Sequence, residues 1–224
     1  MARRASMPCY ALPAGMLADI VSRASCSLPA CADWPRSRAG CARPTAVTTI
    51  RSHQQATENF AATASNQVWL ADLTYIRTGE GWLFLAALTD MHTRKVVGWS
   101  MREALHALIT LEALDMAIRR QRSAPGLIQH SDRGIQYAAD EYRQALATAK
   151  ITPSMSRKGN CLDNAPMESF FHTIKVERVH HRVYATRAEA RRDLFTYIEG
   201  FYNSRRLHSA LGYRSPADME QMAA

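Results

Sequence analysis

No uninterrupted apolar run in the 224 residues approaches the roughly 20 needed to cross a bilayer. No amphipathic stretch joins a wide apolar face to a basic rim either, so no membrane partner is expected. Cysteine is sparse and unpaired: of five in all, four (Cys9, Cys26, Cys31, Cys41) fall early in the chain, without the closely spaced pairs of a zinc knot. An odd number without a disulfide framework points to a reducing compartment. The opening Met1-Ala2-Arg3-Arg4 and the stretch from Ala5 to Ala18 have the outline of a signal peptide. Pro8 and Pro13 interrupt it and Asp19 follows, so a cytoplasmic protein is expected. Internal repeats and low-complexity tracts are also missing.

Acidic residues are the other shortage. Twenty-eight Lys and Arg oppose 20 Asp and Glu, for a net charge of +8 and a pI near 9.5. Between Lys150 and Ser215, 12 basic residues face 6 acidic ones, so +6 of the +8 lies in the last third. Such a balance favours an anionic partner, nucleic acid first, although a solvated basic surface would have the same composition. The 47% hydrophobic content suffices for one substantial core.

Residues 1–58 are rich in Ala, Ser, Pro, Cys and Arg without helical or alternating periodicity. They read as an irregular or disordered lead-in, either a flexible basic arm or the read-through start of a truncated gene. Order begins near Phe60, and residues 59–219 are expected to form the folded core. A nearly continuous apolar strand, Val68 to Ile76, is followed by turns at Thr78–Gly81 and Asp90–Arg94 and by strands Trp82–Leu88 and Lys95–Trp99, which predicts a three-stranded antiparallel meander. Ala107 to Gln121 has helical spacing. Pro125-Gly126 stops it before the strand Leu127 to Asp132, whose long connection predicts parallel pairing. A helix over about 139–150, a short strand over 152–155, and helices beginning near Pro166 and at Thr186 complete the pattern. Thr186 and Glu189 form a capping-box pair, and Arg187, Arg191 and Arg192 make a basic face. Asn203 to Met219 reads as a polar, basic tail.

Three acids stand out. Asp72 lies mid-strand among apolar residues that predict burial on both faces, and a buried carboxylate needs a cation. Asp132 closes a second strand, and Glu168 lies near a helix start that Asp163 or Asn164 can cap, with Pro166 in the first turn. Singly, each has an ordinary reading: an ion pair with Arg, a turn former, a solvated helix residue. Together, strand acid, strand acid and helix acid, with 59 and 35 residues between them, can converge into an oxygen cage suited to Mg²⁺ or Mn²⁺. Two such ions about 4 Å apart would serve phosphodiester chemistry. Asp90 and Asp163 read as structural, and His130 as a hydrogen-bond partner of Asp132. Trp69, Trp82, Trp99 and Tyr75 fall within strands and are expected in the core. His172 and Lys175 share Glu168's helix face and, with Arg157 and Lys158 in the preceding glycine-containing loop, are candidate DNA phosphate contacts. Arg205 and Arg206 in the tail are candidates too.

The runs Gln67 to Tyr75, His130 to Tyr137 and Ser156 to Phe171 resemble the integrase-core transposases of bacterial insertion sequences, in the OrfB-type group made by frameshifting. So does the closing pattern Tyr202-Asn203, Arg206, His208-Ser209, Leu211-Gly212-Tyr213 and Ser215-Pro216. The resemblance covers about Phe60 to Met219. It implies an α/β, ribonuclease-H-like fold, a mixed five-stranded sheet flanked by helices, with the catalytic and metal-binding triad on Asp72, Asp132 and Glu168. It further implies metal-dependent DNA cleavage and strand transfer within a nucleoid-associated homo-multimer on double-stranded DNA. Members usually carry helix-turn-helix segments, upstream or fused through frameshifting, that recognise the element's ends, and residues 1–58 show no such helices. The rival expectations are a general nuclease on the same fold and a truncated, inactive DNA-binding remnant or inhibitor of the intact transposase.

Overall fold

A computed structural model describes residues 62–121, 126–132, 134–156 and 164–223. The lead-in 1–58 and the candidates Arg157, Lys158 and Asp163 lie outside them. Among the described residues five strands form one mixed sheet: β1 (Val68–Thr78), β2 (Gly81–Asp90), β3 (Val96–Arg102), β4 (Ile128–Ser131) and β5 (Thr152–Met155), in the order β3-β2-β1-β4-β5. The first three make the antiparallel meander. β4 joins β1 in parallel and β5 joins β4 in parallel, as expected for strands reached by helical crossovers.

The helices are α1 (Ala107–Gln121), a single turn α2 (Ile135–Ala138), α3 (Asp140–Thr148), α4 (Ala165–Glu177), α5 (Arg187–Tyr197) and α6 (Pro216–Ala223). Alternation along β1 sorts them between the two faces of the sheet. Val68, Leu70 and Ile76 share a cluster with Met167 and Phe170 of α4 and Leu194 of α5. Trp69 and Ala71 are fully buried too but point the other way, toward the face that α1 covers. There Gly98 of β3 is required by close approach, because a Cβ would meet the Ala113 carbonyl oxygen at 2.1 Å.

At the start of α5 the Thr186 hydroxyl accepts from Glu189 N, 3.1 Å, but the Glu189 carboxylate reaches back to Ala185 N, 2.9 Å. The capping box therefore closes one residue further out than its usual form. Asn164 precedes α4 without any side-chain capping bond.

Asn203 to Met219 is folded, contrary to the expected tail. α5 continues into a π-helical turn, Ile198–Tyr202, in which Asn203 N reaches Ile198 O at 3.0 Å. The extra residue turns Asn203 inward, where its amide clamps the start of β3: Oδ1 accepts from Val96 N, 2.8 Å, and Nδ2 donates to Val96 O, 3.0 Å. Ser215 caps α6 by accepting from Asp218 N and donating to the Asp218 carboxylate. Arg206 pairs with Glu177 at 2.7 Å, and its guanidinium lies 5.9 Å from the Tyr202 ring centroid. Its guanidinium, expected to face DNA, is thus also engaged within the fold.

Candidate active site

The register of β1 and β4 brings the first two acids together. Pairing ends at Ala71↔Ser131, so the next residues on the adjacent parallel strands are Asp72 and Asp132. Past that point β1 continues to Thr78 with β2 on one side and no β4 on the other. Asp72 is consequently half-buried rather than enclosed on both faces, and Asp132, just beyond its strand, is exposed. Gly134 follows, with its N–H donating to Asp132 Oδ1 at 2.9 Å.

Glu168 arrives from the other layer. Met167, fully buried, accepts a hydrogen bond from the Thr89 hydroxyl at 3.1 Å, which seats the first turn of α4 on the sheet and leaves Glu168 exposed at its rim. Burial pushes the Asp72 carboxyl up to about 6. The Leu73 N–H, donating at 2.7 Å, opposes this, the negative charges of Asp132 and Glu168 add to the rise, and Lys175 offsets part of it. All three acids thus share one electrostatic neighbourhood.

The donor set is entirely carboxylate oxygen, which fits a hard divalent cation. As placed, no three His, Cys, Asp or Glu side chains among the described residues lie close enough to hold an ion together. Asp72 and Asp132 each accept from a nearby backbone N–H, of Leu73 and Gly134, and the exposed Asp132 and Glu168 have the room to turn toward a shared ion. Tyr137, within the His130–Tyr137 motif but not expected at the site, stands behind the acids. It is 3% exposed, and its hydroxyl has no hydrogen-bond partner among the described residues. Burial raises its pKa well above the ordinary tyrosine value, and Tyr142, Asp72 and Asp132 add to the shift.

Other expectations change. His130 is buried with its ring nitrogens 3.1 Å from Ser154 Oγ and 3.0 Å from Ser156 Oγ, so it braces β5 instead of bonding Asp132. Asp90 is structural as expected, accepting from the Asn66, His92 and Thr93 amides and the Thr93 hydroxyl. Of the four aromatics placed in the core, Trp69 is fully buried and Trp99 half-buried, but Tyr75 is 58% and Trp82 48% exposed. Among the candidate phosphate contacts, His172 and Arg205 are exposed, while Lys175 lies 5.3 Å from the Tyr75 ring centroid. Arg187 and Arg191 of the expected basic face pair with Glu103 at 3.4 and 3.7 Å.

The Integrase core domain family matches residues 62–161, and a second Integrase core domain family matches 149–216. An uncharacterized 31 kDa protein of insertion element IS600 from Shigella sonnei is 51% identical over 171 residues, 75% of this chain and 63% of that protein. The transposase for insertion sequence element IS904 from Lactococcus lactis is 46% identical over 162 residues, 72% of this chain and 64% of that one. Transposase InsF for insertion sequence IS3A from Escherichia coli is 44% identical over 163 residues, 73% and 57% of the two chains. The chain thus spans about six tenths of the length of the curated relatives it matches.

Two solved structures share the fold at low identity. The HTLV-2 integrase catalytic core domain in complex with magnesium aligns with a TM-score of 0.55 at 15% identity, over 71% of this chain and 99% of that one. A simian T-cell lymphotropic virus intasome chain aligns with a TM-score of 0.59 at 14% identity, over 71% and 55%. The sheet order and flanking helices are therefore those of the ribonuclease-H-like fold. With Integrase core domain matches over 62–161 and 149–216, together well over half of its length, and curated relatives that come from insertion sequences, the chain belongs to the integrase-core family.

Proposed function

We propose that the chain is the catalytic core of a DNA transposase, with Asp72, Asp132 and Glu168 as its catalytic and metal-binding residues. The observation that carries this reading is the β1–β4 register, which ends at Ala71↔Ser131 and so sets Asp72 beside Asp132 at the open margin of the sheet. Glu168 faces the same margin from α4. Bound there, Mg²⁺ or Mn²⁺, as two ions, would supply Lewis-acid activation of the attacking and leaving oxygens of a phosphodiester. The protein's part is to aim the carboxylates. Asp72 accepts from Leu73 N, and Asp132 and Glu168 would close on the cation, whose charge would offset the repulsion that adds to the burial-driven rise of the Asp72 pKa. Cleavage at the element's end frees a 3'-hydroxyl, which attacks a second phosphodiester while the broken bond's other oxygen leaves. Lys175, His172 and Arg205, with Arg157 and Lys158, would hold DNA phosphates through charge. The protein would act in the bacterial cytoplasm on the nucleoid, as a homo-multimer on double-stranded DNA, with a separate or fused helix-turn-helix protein recognising the ends. No helix of the described residues is long and apolar enough to cross a membrane.

The test incubates the purified chain with labelled DNA carrying the element's ends, in Mg²⁺, Mn²⁺ or chelator. Metal-dependent nicking and joining should fall by on the order of a thousandfold or more in Asp72→Asn and Glu168→Gln. Equal activity in these variants overturns the triad. Hydrolysis without joining favours a nuclease, and salt-dependent DNA binding without cleavage in any metal favours an inactive remnant or inhibitor.

A further inference from the structure

Near the acids along β1, but on the face of the sheet opposite Asp72, lies an aromatic surface that the core does not need, reached round the open edge by Lys175 of the Glu168 helix. Tyr75 of β1 pairs with Phe84, and Trp82 of β2 pairs with Arg77, so the two rings are diagonal neighbours on one face of the hairpin. Their centroids are 5.1 Å apart, with the planes at 83°. More than half of Tyr75 and nearly half of Trp82 is open to solvent (58% and 48%). A cross-strand aromatic pair strengthens a hairpin, which accounts for their contact with each other. It does not account for the cation that joins them. Lys175, two helical turns beyond Glu168, holds its ammonium 5.3 Å from the Tyr75 ring centroid.

Position sharpens the point. Tyr75 is three residues past Asp72, on the stretch of β1 that β4 no longer flanks. Arg77 is exposed nearby, and Arg187 reaches the Trp82 carbonyl at 3.2 Å. An open aromatic pair, a lysine from the Glu168 helix drawn over one ring, and the exposed Arg77 on the same strand make a surface with two complementary parts. The rings offer a π-face, and the cations offer phosphate contacts. A single-stranded nucleotide carries both complements, whereas a paired base in a duplex has no free face to offer.

We propose that Tyr75 and Trp82, with Lys175, form a stacking platform for an unpaired base at the end of a DNA duplex, holding the strand terminus near the acid cluster. The proposal rests on the DNA reading above and adds to it a preference for a frayed or unpaired end. The base takes the place of the lysine ammonium over the ring, and Lys175 moves to the adjoining phosphate.

The experiment measures binding of the full chain, in chelator so that no cleavage occurs, to two duplexes of equal length. One is blunt; the other ends in three unpaired nucleotides, one of them 2-aminopurine. The unpaired end should bind about five- to a hundredfold more tightly, with quenching of the 2-aminopurine. Tyr75→Ala and Trp82→Ala should each reduce that preference without weakening the blunt duplex, and Tyr75→Phe should keep it. Both positions are exposed, and circular dichroism of each variant verifies its fold. A free mononucleotide competing as well as the unpaired duplex would overturn the assignment to a strand end. Equal affinity of the unaltered chain for the two duplexes, or a preference that survives both alanine variants, overturns the platform and leaves the DNA reading standing. Failure of the unaltered chain to bind either duplex overturns the DNA reading, and the platform with it.

Discussion

Two charged regions of this molecule are built on opposite rules. At the acid cluster, like charges are gathered: Asp72 is half-buried beside Asp132 and Glu168, and burial with their added repulsion pushes its carboxyl up to about 6. In the region from Glu177 to Asp218, opposite charges and hydrogen-bonding groups answer one another. Burial works to raise the Glu177 carboxyl, but bonds from Arg206 and the Tyr197 hydroxyl outweigh it and hold the group below its ordinary value. Asp193 repeats the pattern, with burial overcome by Arg178 at 2.5 Å and the Tyr184 hydroxyl at 2.8 Å. The second region therefore stabilises the fold, whereas the first stores repulsion that an added cation would release. Charge density alone does not separate a site from a scaffold; the separation lies in whether the charges already have partners.

The largest stability effect should come from the satisfied region. Asn203→Ala strips both hydrogen bonds from the buried ends of Val96 and is expected to cost about 2–4 kcal/mol in denaturant unfolding. A cost under about 0.5 kcal/mol would place the anchor elsewhere.

Next comes the opposite sign at the acid cluster. The folded Asp72 carboxyl keeps its proton up to about pH 6, while the unfolded one releases it near 3.8, so between those values the folded state binds more protons and loses stability as pH rises. In chelator at pH 7.5, Asp72→Asn should therefore be more stable than the unaltered chain by about 1–2 kcal/mol, with the gain gone below pH 4. A less stable variant would show that Asp72 is a structural partner after all.

The smallest effect belongs to His208. Burial first, then the charges of Arg206 and Arg94, lower its pKa from 6.5 to about 4. Here the unfolded state binds the extra proton, so stability is lost as pH falls from 6.5 toward 4, the reverse of Asp72. Thermal melts of Asp72→Asn across that range should expose the His208 slope, on the order of 1 kcal/mol after solvent screening. Adding His208→Gln should flatten it.

Sequence pattern reached the meander, the parallel β4, α1 and the α5 cap, because apolar alternation and helical spacing record which side of an element is covered. It did not reach the exposure of Tyr75 and Trp82. Alternation tells which face a ring occupies, but β1 runs past its β4 neighbour, and only the sheet's outline shows that the rings at that end stay largely open among the described residues. Nor was the fold of Asn203 to Met219 legible. This segment is held by side chain-to-backbone bonds such as Asn203 to Val96 and by the Ser215 cap, which leave no periodic trace. Arg206 read as a free cation because its partner, Glu177, lies 29 residues away. The acids were visible as three separate residues; that Asp72 and Asp132 face each other depends on a register that spacing does not encode.

The Asn203 clamp on Val96 joins residues 107 positions apart, and the Lys95–Glu220 ion pair joins residues 125 apart. A ribosome delivers the chain from its amino end, so the meander emerges well before the groups that fasten its third strand. β3 must wait, paired with β2 but unclamped, until the closing segment is released, and such long-range closure is the slow part of folding. Maturation of the sheet that bears Asp72 is thereby tied to the emergence of Asn203 and Glu220 from the ribosome.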